Sequence, residues 1–127
     1  MLWARSAPHG PFDAATCLLT LHFVPAEERL RTLSEVGKRL KPGAPFGVAH
    51  HSSPQEEKAL WLGRYAAFAS FSGIPAEKAE AAAAEIGHRL PVLSPDQDEA
   101  LMREAGFSDV SLICAGFTVR GWVACRR

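Results

Sequence analysis

Three histidines mark the places where this 127-residue chain has residues able to do chemistry. His22 ends the run Thr20-Leu21-His22, and His50 and His51 precede Ser52. Each group follows a short apolar segment of strand character. In open α/β sheets ligands bind beyond the carboxyl ends of the strands, which directs attention to Leu18 through His22 and to His50, His51 and Ser52. Imidazole titrates near neutral pH, so His22 or His50 is able to orient a substrate group or take its proton. A plainer reading stays open beside it: His22 caps local backbone at a strand exit, while His50 and His51 are partly solvated loop residues. No metal is expected. His50 and His51 point to opposite sides of an extended chain, and no cysteine or carboxylate completes a ligand set.

The aromatic residues Trp61, Tyr65, Phe68 and Phe71 share one face of a predicted helix. Such a stripe is able to roof a substrate pocket, with Trp61 and Tyr65 nearest the substrate, but is more commonly core. Lys58 and Arg64 fall on that helix's polar side and are expected in solvent. Trp122 is expected to pack. Cys17, Cys114 and Cys125 lie in apolar stretches without C-x-x-C spacing, so all three read as small buried hydrophobes with no disulfide.

Local patterns predict the elements that hold these residues. Phe12 to Phe23 is a nearly continuous apolar run, the signature of a strand buried on both faces. Pro25 stands at an expected first helical position, with Glu27 and Glu28 in the first turn. Leu30, Leu33, Val36 and Leu40 then line one face of a helix that Pro42-Gly43 stops. Ala44 to Ala49 is a second strand, parallel to the first because a helix crosses between them. Ser53-Pro54-Gln55-Glu56 and Ser94-Pro95-Asp96-Gln97 read as capping boxes. Pro75 opens another helix, striped by Ala79, Ala83, Ile86 and Leu90. Val110 to Ala115 and Thr118 to Ala124, joined at Gly116-Phe117, form an antiparallel hairpin. The expected organisation is one α/β domain: a tail at 1–11, strand-helix-strand at 12–51, a helical insertion at 53–90, and a helix with a terminal hairpin at 94–127.

Fourteen basic residues balance fourteen acidic ones, 47% of residues are hydrophobic and 22% charged. That composition is globular rather than disordered, and it lacks the basic excess of nucleic-acid or membrane-surface proteins. No apolar run approaches the roughly 18 residues of a spanning helix, and the first ten residues lack a secretory h-region. A cytoplasmic address follows, with no nucleic-acid or membrane partner.

Three motifs, in order, resemble the second half of a class I S-adenosylmethionine-dependent methyltransferase. Phe12-Asp13 through Leu21-His22-Phe23 is similar to that family's fourth strand and its exit. Leu40-Lys41-Pro42-Gly43-Ala44 resembles the turn into the fifth strand. Met102-Arg103-Glu104-Ala105-Gly106-Phe107 is similar to the lead into the sixth. Thr20 to Pro25 and the helical insertion are most similar to enzymes related to carboxy-S-adenosylmethionine synthase, although Leu18 stands where that branch has a polar cofactor contact. The resemblance implies a partial Rossmann-like sheet, with parallel strands 4 and 5 and an antiparallel hairpin 6-7. It places Leu18, Leu19 and Thr20 beside the cofactor of a completed fold, and His22, His51, Trp61 and Tyr65 beside the methyl acceptor.

The family's glycine-rich turn is absent: no G-x-G-x-G occurs in the chain. Such a turn lets backbone approach the methyl donor closely. The acidic residue that would accept ribose hydroxyls belongs to the same unmatched half. Poor or no cofactor binding by this chain alone is therefore expected. Without a first strand beside it, segment 12–20 becomes an apolar sheet edge that invites pairing, either in a homo-oligomer such as a homodimer or with a complementing N-terminal half. A monomer would need Leu2 and Trp3 to cover that edge. Three functional classes stay open: a truncated methyltransferase portion, a non-catalytic dimerising module, and one half of a split enzyme.

Overall fold

A computed structural model describes residues 10–127; Leu2 and Trp3 lie outside them. In chain order the elements are β1 (Ala15–Leu18), a 3-10 turn (Leu21–Phe23), α1 (Ala26–Lys38), β2 (Pro45–His51), a 3-10 turn (Gln55–Glu57), α2 (Lys58–Phe71), α3 (Ala76–Arg89), α4 (Pro95–Glu104), β3 (Phe107–Gly116) and β4 (Val119–Arg126). The four strands form one sheet in the order β1-β2-β4-β3. β1 and β2 are parallel, with Ala15 opposite Phe46 and Leu18 opposite Ala49. β4 runs antiparallel to both β2 and β3. The expected α/β sheet, with its parallel pair and terminal hairpin, is present.

One face of this sheet carries the core. Period-two alternation in β2 sends Phe46, Val48 and His50 inward, where Trp122 and Ala124 of β4 meet them. Leu33 and Val36 of α1 and Met102 of α4 close the layer. Phe46 and Phe107 stack with ring centroids 4.9 Å apart. Gly37 of α1 faces this pair, and a β-carbon there would lie 3.6 Å from both Phe107 and the Ala105 carbonyl, at ordinary contact distance. The α2–α3 hairpin has its own small core of Ala66, Ala69, Ala79 and Ala83. Alanine stripes let the two helices approach closely.

Several expectations are corrected. The first strand is not buried on both faces. Its ladder spans Ala15–Leu18, Phe12 makes only an isolated bridge to Leu40, and Thr16 and Leu18 are exposed. Among the described residues β2 is its only neighbour in the sheet. The first capping box does not form. Ser52 N donates to the Thr118 carbonyl and Ser53 N to the Leu93 carbonyl. These bonds keep the chain extended past β2, and α2 starts only at Lys58. The second box forms as expected, with Ser94 and Gln97 exchanging hydrogen bonds. Pro25 and Pro75 sit at the N-cap rather than inside the helix. The hairpin turns at Phe117-Thr118, and β3 begins at Phe107.

Cys114 is exposed rather than buried, because β3 is the far edge and loses its cover beyond Phe107. Phe68 and Phe71 are also exposed, at 56% and 93%, because α3 packs against the alanine side of α2. Lys58 is half-buried rather than solvated, while Arg64 lies exposed with its guanidinium 4.6 Å from the Trp61 ring. Among the described residues no helix is long and apolar enough to cross a membrane.

Candidate functional site

The two parallel strands end side by side, and their exits build the site. Leu19 N donates to the Ala49 carbonyl, holding the end of β1 against β2. Leu19 then takes a left-handed conformation, φ 55°, which breaks the strand and throws the chain into the Leu21–Phe23 turn. That turn buries Leu21 and His22 and leaves Phe23 outside. His51 is the last residue of β2, so its backbone and side chain meet the turn.

His22 Nδ1 accepts a hydrogen bond from the His51 N–H at 3.2 Å. His51 Nδ1 lies 2.8 Å from the Thr118 hydroxyl. The rings of His22 and His51 are 4.8 Å apart, and Phe23 packs edge-on to His22 at 4.5 Å. Burial lowers the pKa of His22 to about 4, helped by His51, His50 and Arg29. His51 is lowered in the same way, by burial first and His50 second. Both rings are therefore neutral at physiological pH.

Beside these rings lies a pocket of about 540 Å³ lined by His22, Phe23, His51, Glu85, Ile86, Arg89, Leu90 and Pro91. Its size suits a small organic molecule. Its far wall is the last turn of α3, where Arg89 and Glu85 form an exposed ion pair at 2.9 Å.

His50 is placed differently. It faces the core, 1% exposed, with Nε2 3.2 Å from Asp98 Oδ1 and its ring 5.4 Å from Trp122. Arg29 Nη1 lies 3.7 Å from the same carboxylate oxygen. Arg29 is wholly buried; it donates to the carbonyls of Val24, His22 and Pro91, tying the histidine turn to the segment before α4. Burial pulls its pKa down and Asp98 pulls it back up. Ser52 is buried as well, and its carbonyl accepts from Arg120.

The structure thus brings His22 and His51 together and sets His50 behind them. Trp61 and Tyr65 do not reach this pocket: Trp61 Nε1 donates to Glu57, and Tyr65 packs on Phe117 at 6.3 Å. Leu18, Leu19 and Thr20 are exposed at the exit of β1. Leu18 and Thr20 also edge a separate apolar groove of about 360 Å³ between β1 and α1. Among the described residues no group of three potential ligands gathers to hold a metal ion. Arg29, Asp98 and Thr118 are the participants that sequence reasoning missed. Asp98 stands in the first turn of its helix, where a carboxylate usually complements the dipole in solvent. Nothing local marks its burial.

No protein-family model matches the chain, and no curated protein matches it in sequence. By fold it is similar to solved S-adenosylmethionine-dependent methyltransferases. The methyltransferase SibL, in its apo form, aligns with a TM-score of 0.64 at 15% identity over 94% of this chain and 32% of its own. Human N-acetylserotonin methyltransferase in complex with S-adenosylmethionine aligns at 0.61 and 15% identity, over 94% of this chain and 30% of its own. An O-methyltransferase family 2 protein from Planctomyces limnophilus, in complex with apigenin, aligns at 0.64 and 14% identity, over 98% of this chain and 33% of its own. The chain therefore spans about a third of the length of each. At these identities what is shared is the fold.

Proposed function

We propose that this chain is the acceptor-side portion of a class I S-adenosylmethionine-dependent O-methyltransferase of the cytoplasm. One observation carries the proposal: two parallel strand exits place His22 and His51 together at the mouth of a ligand-sized pocket. The sheet around them is shared with solved methyltransferases across nearly the whole chain. Methyl transfer from a sulfonium asks little of acid–base catalysis, because the methyl group is already activated. Holding the acceptor atom in line is the main task. Neutral His22, fixed through Nδ1 by the His51 N–H, is suited to orient a polar group of the acceptor.

The residues present do not by themselves fit the methyl donor. The exit of β1 offers Leu18, Leu19 and Thr20, without a glycine turn for close backbone approach or a carboxylate for ribose hydroxyls. The cofactor would be gripped by strands that this chain does not supply, so the chain alone is inactive. Among the described residues the edge of β1 away from β2 is unpaired, and Leu18, 59% exposed, and Phe12, 38% exposed, lie beside the apolar groove, which favours completion by another copy or by an N-terminal half. A non-catalytic dimerising module uses the same edge without any chemistry.

The test is methyl transfer from labelled S-adenosylmethionine, measured on the chain alone and on the chain extended through the reading frame immediately upstream. The proposal expects transfer only from the extended protein, lost in His22→Phe. Transfer by neither protein would leave the dimerising module as the better account.

A further inference from the structure

The hydrogen bonds around the two histidines determine which ring nitrogens carry protons. His22 Nδ1 accepts from a backbone N–H, so it holds no proton, and the neutral ring carries its proton on Nε2. His51 Nδ1 faces the Thr118 hydroxyl, and Thr118 is 1% exposed. A buried hydroxyl proton needs an acceptor. His51 Nδ1 is the partner this hydroxyl has among the described residues. Thr118 therefore donates, and His51 too carries its proton on Nε2. Both rings line the pocket. With Nδ1 of each ring engaged, Nε2 is the nitrogen left to donate a proton to a ligand in the pocket that both rings line.

We infer that His22 and His51 form a paired N–H donor site for a carboxylate, and that the pocket takes a small apolar carboxylic acid, such as an aromatic acid. Two adjacent donors match the two oxygens of a carboxylate, where an alcohol offers one. Phe23, Ile86, Leu90 and Pro91 supply apolar walls for the body of the ligand. The charges around the rings balance, Arg29 behind His22 facing Asp98 and Arg89 across the pocket paired with Glu85, so the two N–H donors carry the preference for an anion. His50 stands behind on β2. A neutral donor pair also avoids the cost of keeping a buried imidazolium when the pocket is empty. That this acid is the methyl acceptor rests on the methyltransferase reading; that the site prefers a carboxylate does not.

Long-range proton–nitrogen NMR on the unmodified chain reads the tautomers directly, and titration with benzoate and with neutral benzamide reads the preference. The expected result is Nε2–H in both rings. Benzoate binds at least about tenfold more tightly than benzamide, as charge-assisted bonds imply, and the titration midpoint of His22 moves upward from about 4. In His51→Phe the preference falls by about tenfold, and Thr118→Val randomises the His51 tautomer. An Nδ1–H ring at either position, or benzoate binding no more tightly than benzamide, would overturn the inference even if the variants fail to fold. Benzoate preference in a completed protein that transfers no methyl group would keep the site and remove the methyltransferase reading. Transfer to a neutral alcohol with no benzoate preference would do the reverse.

Discussion

Replacing Arg29 with Met isolates the buried charge that supports the histidine turn. The guanidinium is wholly buried and lies 3.7 Å from Asp98 Oδ1, and the Asp98 side chain is only 2% exposed. Met keeps most of the apolar stem, so the loss is chiefly electrostatic. A buried carboxylate that loses its guanidinium costs up to about 3–5 kcal/mol, less whatever His50 Nε2, 3.2 Å from Oδ1, makes good. The carbonyls of Val24, His22 and Pro91 also lose their donor, each worth about 1 kcal/mol where water does not replace it. The sum is bounded by relaxation, so a destabilisation of about 4 kcal/mol is expected, a large share of the roughly 5–15 kcal/mol available to a domain. At a urea dependence of about 1.5 kcal/mol per molar, the midpoint falls by roughly 2–3 M. Removing the carboxylate as well, in Arg29→Met/Asp98→Leu, recovers about half of that loss or more, because no bare charge is then left inside. Urea melts followed by circular dichroism measure both variants. A single variant within about 1 kcal/mol of the parent, or a double variant no better than the single, would refute the electrostatic reasoning.

Acidification provides a second test. The pKa of His22 falls from an ordinary 6.5 to about 4 on folding, so between these values the unfolded chain binds the extra proton. Stability contributed by the neutral ring is fully present above pH 6.5 and is lost as pH falls towards 4. The loss approaches about 3 kcal/mol, and His22→Phe flattens the slope in melts across that window. Ser94→Ala removes the capping box of α4 and costs about 1 kcal/mol by the same melts, whereas Ser53→Ala has no cap to lose. Leu18→Lys places a charge on the exposed end of β1; the proposed pairing through this edge predicts an associated parent chain and a weaker association of the variant by light scattering, and a monomeric parent would refute it.

What was legible in the sequence was whatever depends on neighbours along the chain. The Leu33 and Val36 stripe, the parallel pair joined by a crossover helix, and the Ser94 cap all follow from local spacing, and the structure contains them. His22 and His51 were legible as strand exits, but their meeting depended on the φ of Leu19, which no propensity for leucine foretells. Arg29 and Asp98 were unreadable for a related reason. Each occupies a helical position where a charge normally faces water, and only the packing of α1 against α4 brings them together inside. Ser53 shows the opposite failure: its local signal was sound, yet backbone bonds to Leu93 and Thr118 took the segment first. Phe71 lies outside the core because an alanine face can outcompete an aromatic one when two helices must pack closely.

We propose that this chain carries the acceptor side of a methyltransferase fold and does not hold the methyl donor by itself. Isothermal titration of the chain with S-adenosylmethionine tests it most directly. The proposal predicts no saturable heat from the chain alone and binding by a protein extended through the reading frame upstream. Saturable micromolar binding by these residues unaided would contradict it.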